Sequence, residues 1–392
     1  MNHRATTPRA MPRRHDIDAL RALAFALLIL YHWCMLYVGG EDWDWHLKSS
    51  HTGEWMQPPM LLVNRWRMDL IFLISGLSVH FLLRDTRAGR FVATRTWRLL
   101  VPLVFGMFVI VPVQPYAEAV ANGQVQPDFA DFMVRYWTFA SGPYDLTWNH
   151  LWYLAYLWVY TLVFAALLPL LRRLPNPLAK LRGGWLLTLP ALPLLLYTLT
   201  LQPLFEASHD LVNDWYLHAV YFSVFVYGWW IGTDAGLWTE FARLRHRATG
   251  WALGVFGAYA TLVFGLPENS PDWQANVIYV LRNAYIWLAL SAILGWGHVL
   301  LNRPFRWLPW ANEAVYPWYV LHQSLIVLCA YWLLPLELGP VAEPLLVLAG
   351  TVGGCALLHA GIRRMRWVRP LFGMKAAPKR VASAHSLRRV PA

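Results

Sequence analysis

The sequence predicts an all-α polytopic membrane protein of about ten transmembrane helices, with both termini in the cytoplasm. Composition is the first reason. Of 392 residues, 57% are hydrophobic and 14% charged, and the mean hydropathy is +0.36, whereas soluble domains carry roughly 25% charge. Segment length is the second reason. Apolar stretches fall at 17–38, 61–83, 99–115, 149–171, 184–202, 214–232, 251–267, 275–300, 314–335 and 344–362, close to the ~20 residues that cross a hydrocarbon core of about 30 Å.

Loop charge is the third reason. One side receives "MNHRATTPRAMPRR", "RDTRAGRFVATRTWR", "RRLPNPLAKLR", "FARLRHR", "NRPFR" and the tail from Arg363, while the loops of the other side hold only Lys48 and Arg135. The positive-inside rule puts the basic side in the cytoplasm. The net charge of +11 follows from this sidedness. The only aromatics in the basic tail are Trp367 and Phe372, so contact with the lipid bilayer is expected there and nucleic acid is not.

The chain divides into a basic N-terminal segment (1–16), a transmembrane unit (17–362) and a basic tail (363–392), with no internal repeat. The longest outer loop, 116–148, is too short to fold alone. Cys34, Cys329 and Cys355 lie in apolar spans and read as buried thiols, and no metal-ligand spacing occurs. The first apolar segment is too long for a signal peptide and lacks a small-residue cleavage site, so it is read as a retained helix. Pro and Gly are expected mainly in loops and near helix ends, unlike the paired broken helices of many transporters.

Polar residues inside apolar spans are costly and point to function. Helix 1 carries Asp18, Arg21 and His32. Asp18 and Arg21 are spaced to pair, and Arg21 and His32 share a face about 16 Å apart. Helix 2, "NRWRMDLIFLISGLSVHFLLR", crowds Arg65, Arg67 and Asp69 into its outer half. Its Ser75-Gly76 pair offers a small surface for helix packing, and Ser75 would be a nucleophile only beside a base. In "RTWRLLVP", Arg95 and Arg98 are one turn apart. That pattern suits phosphate oxygens or plain interfacial anchoring. "NHLWYL" puts His150 and Trp152 at the outer interface, as an aromatic belt or as a surface for sugar rings. Arg282 and Asn283 are polar residues near the outer face, and "YPWYVLHQSL" holds Tyr319, His322 and Gln323.

These motifs, in this order, resemble the acyltransferase family 3 membrane proteins and, within them, the glucan biosynthesis protein C group of periplasmic glucan O-succinyltransferases. The likeness rests on "LRALAFALLILYH", "RMDLIFLISGL", "RTWRLLVP", "NHLWYL" and "YPWYVLHQSL". It implies that His32 and Arg21 form the essential pair of helix 1, with His32 catalytic. By the same likeness Arg95 and Arg98 meet the acyl-CoA donor, Arg67, Asp69, Ser75 and Gly76 fill the second-helix motif, and His322 is the late histidine. The O-antigen acetylase branch commonly has a Glu soon after its "LW" motif, and "LWYLAYLWVY" has none.

The implied reaction moves an acyl group, succinyl or acetyl, from cytoplasmic succinyl-CoA or acetyl-CoA to hydroxyls of a periplasmic glucan or other envelope polysaccharide, in the bacterial inner membrane. His32 would act as general base and Arg67 as oxyanion donor. Arg65 or Arg282 would meet a succinyl carboxylate. No bound cofactor or metal is expected. The competing class is a transporter or flippase for a glycan or acylated substrate, and a scaffold would gain nothing from so many intramembrane charges.

Overall fold

A computed structural model describes residues 14–84, 86–267 and 271–375. The expected basic N-terminal segment up to residue 13 and the tail from 376 lie outside these. The chain folds as α1 (His15–Cys34), α2 (Gln57–Arg84), α3 (Ala88–Phe105), α4 (Val113–Ala121), α5 (Phe129–Trp137), α6 (Trp152–Leu171), α7 (Gly184–Thr188) and α8 (Ala191–Thr200). It continues through α9 (Trp215–Thr233), α10 (Ala235–Gly265), α11 (Asp272–Leu301), α12 (Leu308–Leu333) and α13 (Gly339–Arg364). Among the described residues, eight helical stretches are long and apolar enough to cross a membrane.

The other two expected segments are helical but differ in kind. Segment 184–202 is broken at Leu189 and Pro190 into α7 and α8, because proline has no N–H to continue the ladder. Side chains take up carbonyls in the break: Trp287 Nε1 donates to Leu186 O and Tyr227 OH to Pro190 O. Segment 214–232 is α9, a helix rich in Trp and Tyr that is not among those eight.

Several expected boundaries are corrected. Helix 2 begins at Gln57, helix 9 at Leu308, and helix 3 at Ala88, so most of "RDTRAGRFVATRTWR", read as a loop, is helical. "FARLRHR", read as a loop, belongs to α10, a continuous helix of 31 residues. At about 1.5 Å per residue α10 is longer than the hydrocarbon core is thick, so its charged turns can project into water. Asp234 caps it through the Gly236 and Leu237 N–H groups, and Arg243 pairs with Glu240 at 2.6 Å. Pro102 in α3 and Pro317 in α12 lie inside helices, exceptions to the expectation that prolines sit mainly in loops and near helix ends.

Helix α1 packs among α2, α11 and α12, while α2 lies along α9 and α10 along α11. Glycine makes the α2–α9 crossing possible. A Cβ on Gly76 would strike the Phe225 carbonyl, and one on Gly228 would strike the Leu73 carbonyl. The two backbones therefore touch, which is how small residues join helices in lipid.

Between α3 and α4 the chain makes a π-helical turn over Gly106–Ile110. Such turns leave carbonyls without helical partners, and here side chains satisfy three of them. Tyr136 OH donates to Met107 O at 3.0 Å, Trp137 Nε1 to Phe108 O at 3.0 Å and Ser324 Oγ to Ile110 O at 2.8 Å. The turn thereby locks α3–α4 against α5 and α12. The three cysteines are free, and only Cys355 is fully buried.

Candidate functional site

Helices α1 and α12 bring two histidines together from 290 residues apart. His32 Nδ1 and His322 Nε2 are 2.8 Å apart. The α12 backbone fixes which atom carries the proton. His322 Nδ1 faces the carbonyls of Tyr319 at 2.7 Å and Trp318 at 3.1 Å, so it must donate. Neutral imidazole has one donor and one acceptor. His322 Nε2 is therefore bare and accepts from His32 Nδ1–H, which leaves His32 Nε2 as a free acceptor. His322 is fully buried.

A cavity of about 200 Å³ opens beside His32, lined also by Asn64, Arg67, His150, Trp152, His209, Tyr221 and Tyr319. Arg67 is 9% exposed. Its guanidinium lies 3.4 Å from the Tyr31 ring centroid, and its Nε and Nη1 have no hydrogen-bond partner. A buried cation with two unspent donors, beside a free imidazole nitrogen, is suited to charge that develops on a substrate oxygen.

The wall of the dyad is a polar network the sequence did not announce. His150 Nε2 donates to Val320 O at 3.2 Å, and its Nδ1 accepts from Gln114 Nε2 at 3.3 Å. Gln114 also donates to Ser324 Oγ at 2.7 Å and accepts from Gln323 at 3.0 Å. Gln323 reaches Asn149 Oδ1 at 2.9 Å, Asn149 Nδ2 reaches His46 Nε2 at 3.0 Å, and His46 Nδ1 meets Glu118 at 2.5 Å. The donors and acceptors all match, as a buried network requires if it is to rigidify its surroundings. His150 is thus a buried member of this wall, not part of an interfacial belt. From the α1–α2 loop, Trp45 lies against His32 with ring centroids 6.4 Å apart and planes at 19°.

Arg21 is not at the cavity. It donates to Asp18 Oδ1 at 2.9 Å, the i,i+3 pair expected from spacing, and to Asn312 Oδ1 at 2.7 Å. Around it lies a second cluster at the end expected to face the cytoplasm. Arg95 is within electrostatic reach of Arg21, Arg98, Tyr316 and Tyr153, and its Nε and Nη2 are buried without partners. Arg98 is differently engaged: Nε and Nη2 both donate to Gly373 O, at 3.3 and 3.1 Å.

The remaining expected residues are dispersed. Ser75 Oγ shares a 2.6 Å hydrogen bond with Tyr153 OH, and no histidine meets it. Asp69 is 4% exposed, with Oδ1 unpartnered. Arg282 Nη2 is spent on Gln202 at 2.6 Å, Tyr216 at 3.1 Å and Thr198 at 3.3 Å. Arg65 contacts the Tyr259 ring at 5.8 Å. None of these four lines the cavity. Among the described residues, no group of three or more His, Cys, Asp or Glu could hold a metal ion.

Asn64, His209 and Tyr221 line the cavity and were missed by sequence reasoning. Asn64 sat in the quoted second-helix motif three residues before Arg67, a spacing that puts both on one helical face. His209, in a loop, gave no periodic signal. Compared with known protein families, residues 14–360 match the acyltransferase family 3 domain. No curated protein and no solved structure matches the chain.

Proposed function

This chain belongs to acyltransferase family 3, and from that membership we propose that the cavity beside His32 transfers an acyl group from acyl-CoA to a glycan hydroxyl. The observation that carries this reading is the hydrogen-bonded order Tyr319 carbonyl, His322, His32, which leaves His32 Nε2 bare in a cavity it shares with Arg67. A sugar hydroxyl is a weak nucleophile at neutral pH, and a positioned imidazole supplies the base it needs.

In the proposed reaction His32 Nε2 takes the hydroxyl proton as the oxygen attacks the thioester carbonyl. Arg67 Nε and Nη1 hold the resulting oxyanion. Collapse breaks the carbon–sulfur bond, and His32 returns its proton to the departing thiolate, so that an ester and free CoA leave. His322 receives no proton in this cycle; it holds the His32 ring and its tautomer. Arg95, with two buried unpartnered nitrogens, is a candidate holder of CoA phosphate, with Arg21 and Arg98 adding positive field. We propose the topology with both termini cytoplasmic, in a bacterial inner membrane, and a succinyl or acetyl donor acting on a periplasmic glucan or related envelope polysaccharide. The motif resemblance and the basic loops support these finer assignments.

Mass spectrometry of envelope glycans tests the reading, in cells lacking the protein and complemented with wild type or His32→Ala. Acyl esters restored by wild type alone support it. Esters restored equally by both move the chemistry away from His32, and no ester with either removes the transfer reading.

A further inference from the structure

Only one side chain from the α8–α9 loop lines the cavity, and it is His209. Its backbone is in the left-handed region at φ 58°, where residues with a Cβ are uncommon and functional sites are over-represented. The chain holds it there from both sides. His209 N–H donates to Asp214 Oδ2 at 3.0 Å, and Trp148 Nε1 donates to His209 O at 3.0 Å. The same Asp214 oxygen accepts from Tyr156 OH at 2.5 Å, Tyr156 OH accepts from Leu211 N at 3.2 Å, and His218 Nε2 donates to Leu211 O at 2.7 Å. Asp214 is fully buried. The ring rests on Trp152, centroids 4.2 Å apart.

So many fixed contacts on a loop hold one imidazole in a cavity whose other walls are helical. Trp148, which anchors it, directly precedes Asn149 of the network that reaches His46, so the loop sits at the end of the bundle opposite Arg21, Arg95 and Arg98. Burial pushes the His209 pKa below its ordinary value, with Arg67 adding to the shift and Asp214 opposing it. The ring is therefore neutral at pH 7 and offers both a donor and an acceptor. A hydroxyl-bearing ring can satisfy both at once.

We propose that His209 is a specificity-determining residue for the acceptor: it hydrogen-bonds the hydroxyl-bearing substrate across the cavity from His32, so that segment 201–214 selects which glycan is acylated. This rests on the transfer reading above. Donor binding is assigned to the opposite end of the molecule, so His209 should move acceptor parameters and leave donor parameters in place.

The test uses the full chain with His209→Gly, which removes the ring and suits a positive φ, and His209→Asn, which tolerates that φ and keeps a donor and an acceptor. Envelope glycans of cells expressing each protein are first profiled for acyl esters, and the glycan that wild type acylates becomes the acceptor for purified enzyme with acetyl-CoA or succinyl-CoA. The expected result is an acceptor KM raised about tenfold or more in His209→Gly, a donor KM within about twofold, and partial recovery in His209→Asn. An unchanged acceptor KM, or equal rises in both KM values, overturns the assignment while the transfer reading stands. If wild type acylates no glycan, the transfer reading fails and this inference falls with it.

Discussion

His32 and His322 are joined edge to edge. Their ring centroids are 5.1 Å apart and their planes differ by 6°, the separation that an in-line hydrogen bond of 2.8 Å between two ring nitrogens requires. The two imidazoles are coplanar links of one chain that starts at the Tyr319 carbonyl, so a change at His322 should be felt at His32 through orientation and tautomer.

His322→Phe keeps a planar ring and removes the acceptor for His32 Nδ1–H. We expect kcat to fall by about 10²–10³-fold, within the usual worth of general-base catalysis, while the donor KM stays within about twofold. Steady-state kinetics on purified protein check this. A rise in KM with kcat intact would make His322 a binding residue instead.

Arg67→Lys retains the charge and loses the planar fork that lies on Tyr31. Arg and Lys are not interchangeable at a stacked site, so the variant should lose about 10²–10³-fold in kcat, the cost of one oxyanion donor. Recovery of wild-type rate by Lys would show that only a point charge is needed.

Arg95 and Arg98 should separate in their effects. Arg95 has two unpartnered buried nitrogens, whereas Arg98 is spent on the Gly373 carbonyl. Arg95→Ala should therefore raise the acyl-CoA KM by the larger factor, about tenfold or more for a lost charged hydrogen bond. Calorimetric titration with CoA gives the comparison. A larger loss in Arg98→Ala would mean that the Gly373 segment yields to the donor.

Gly76→Ala should destabilise the bundle without touching the cavity, because the added Cβ meets the Phe225 carbonyl backbone. Overpacking of this kind costs about 1–3 kcal/mol. A thermal-unfolding scan in detergent should show a lower midpoint, and an unchanged midpoint would mean that α2 and α9 separate freely.

The fold was legible where one helix carries the whole signal. Spacing alone placed Asp18 with Arg21, and Ser75-Gly76 announced a close helix contact that Gly76 makes. Charge misled at "FARLRHR", because a basic stretch reads alike whether it is a loop or a helix standing out of the bilayer. The site was harder to read. His32 and His322 could each be singled out as polar residues in apolar spans, but their bond spans 290 residues and no periodicity encodes it. Arg21 and His32 share a helix face, yet they serve clusters at opposite ends. Gln114, Glu118 and His46 were invisible because amides and loop side chains become a network only when three separate segments converge.

The most direct measurement is single-turnover ester formation by purified wild type, His32→Ala and His32→Gln, with acyl-CoA and the acylated glycan followed by mass spectrometry. With His32 Nε2 as the base, both variants bind acyl-CoA normally and form ester at least about 10²-fold more slowly. Ester formation at the wild-type rate in either variant would contradict it.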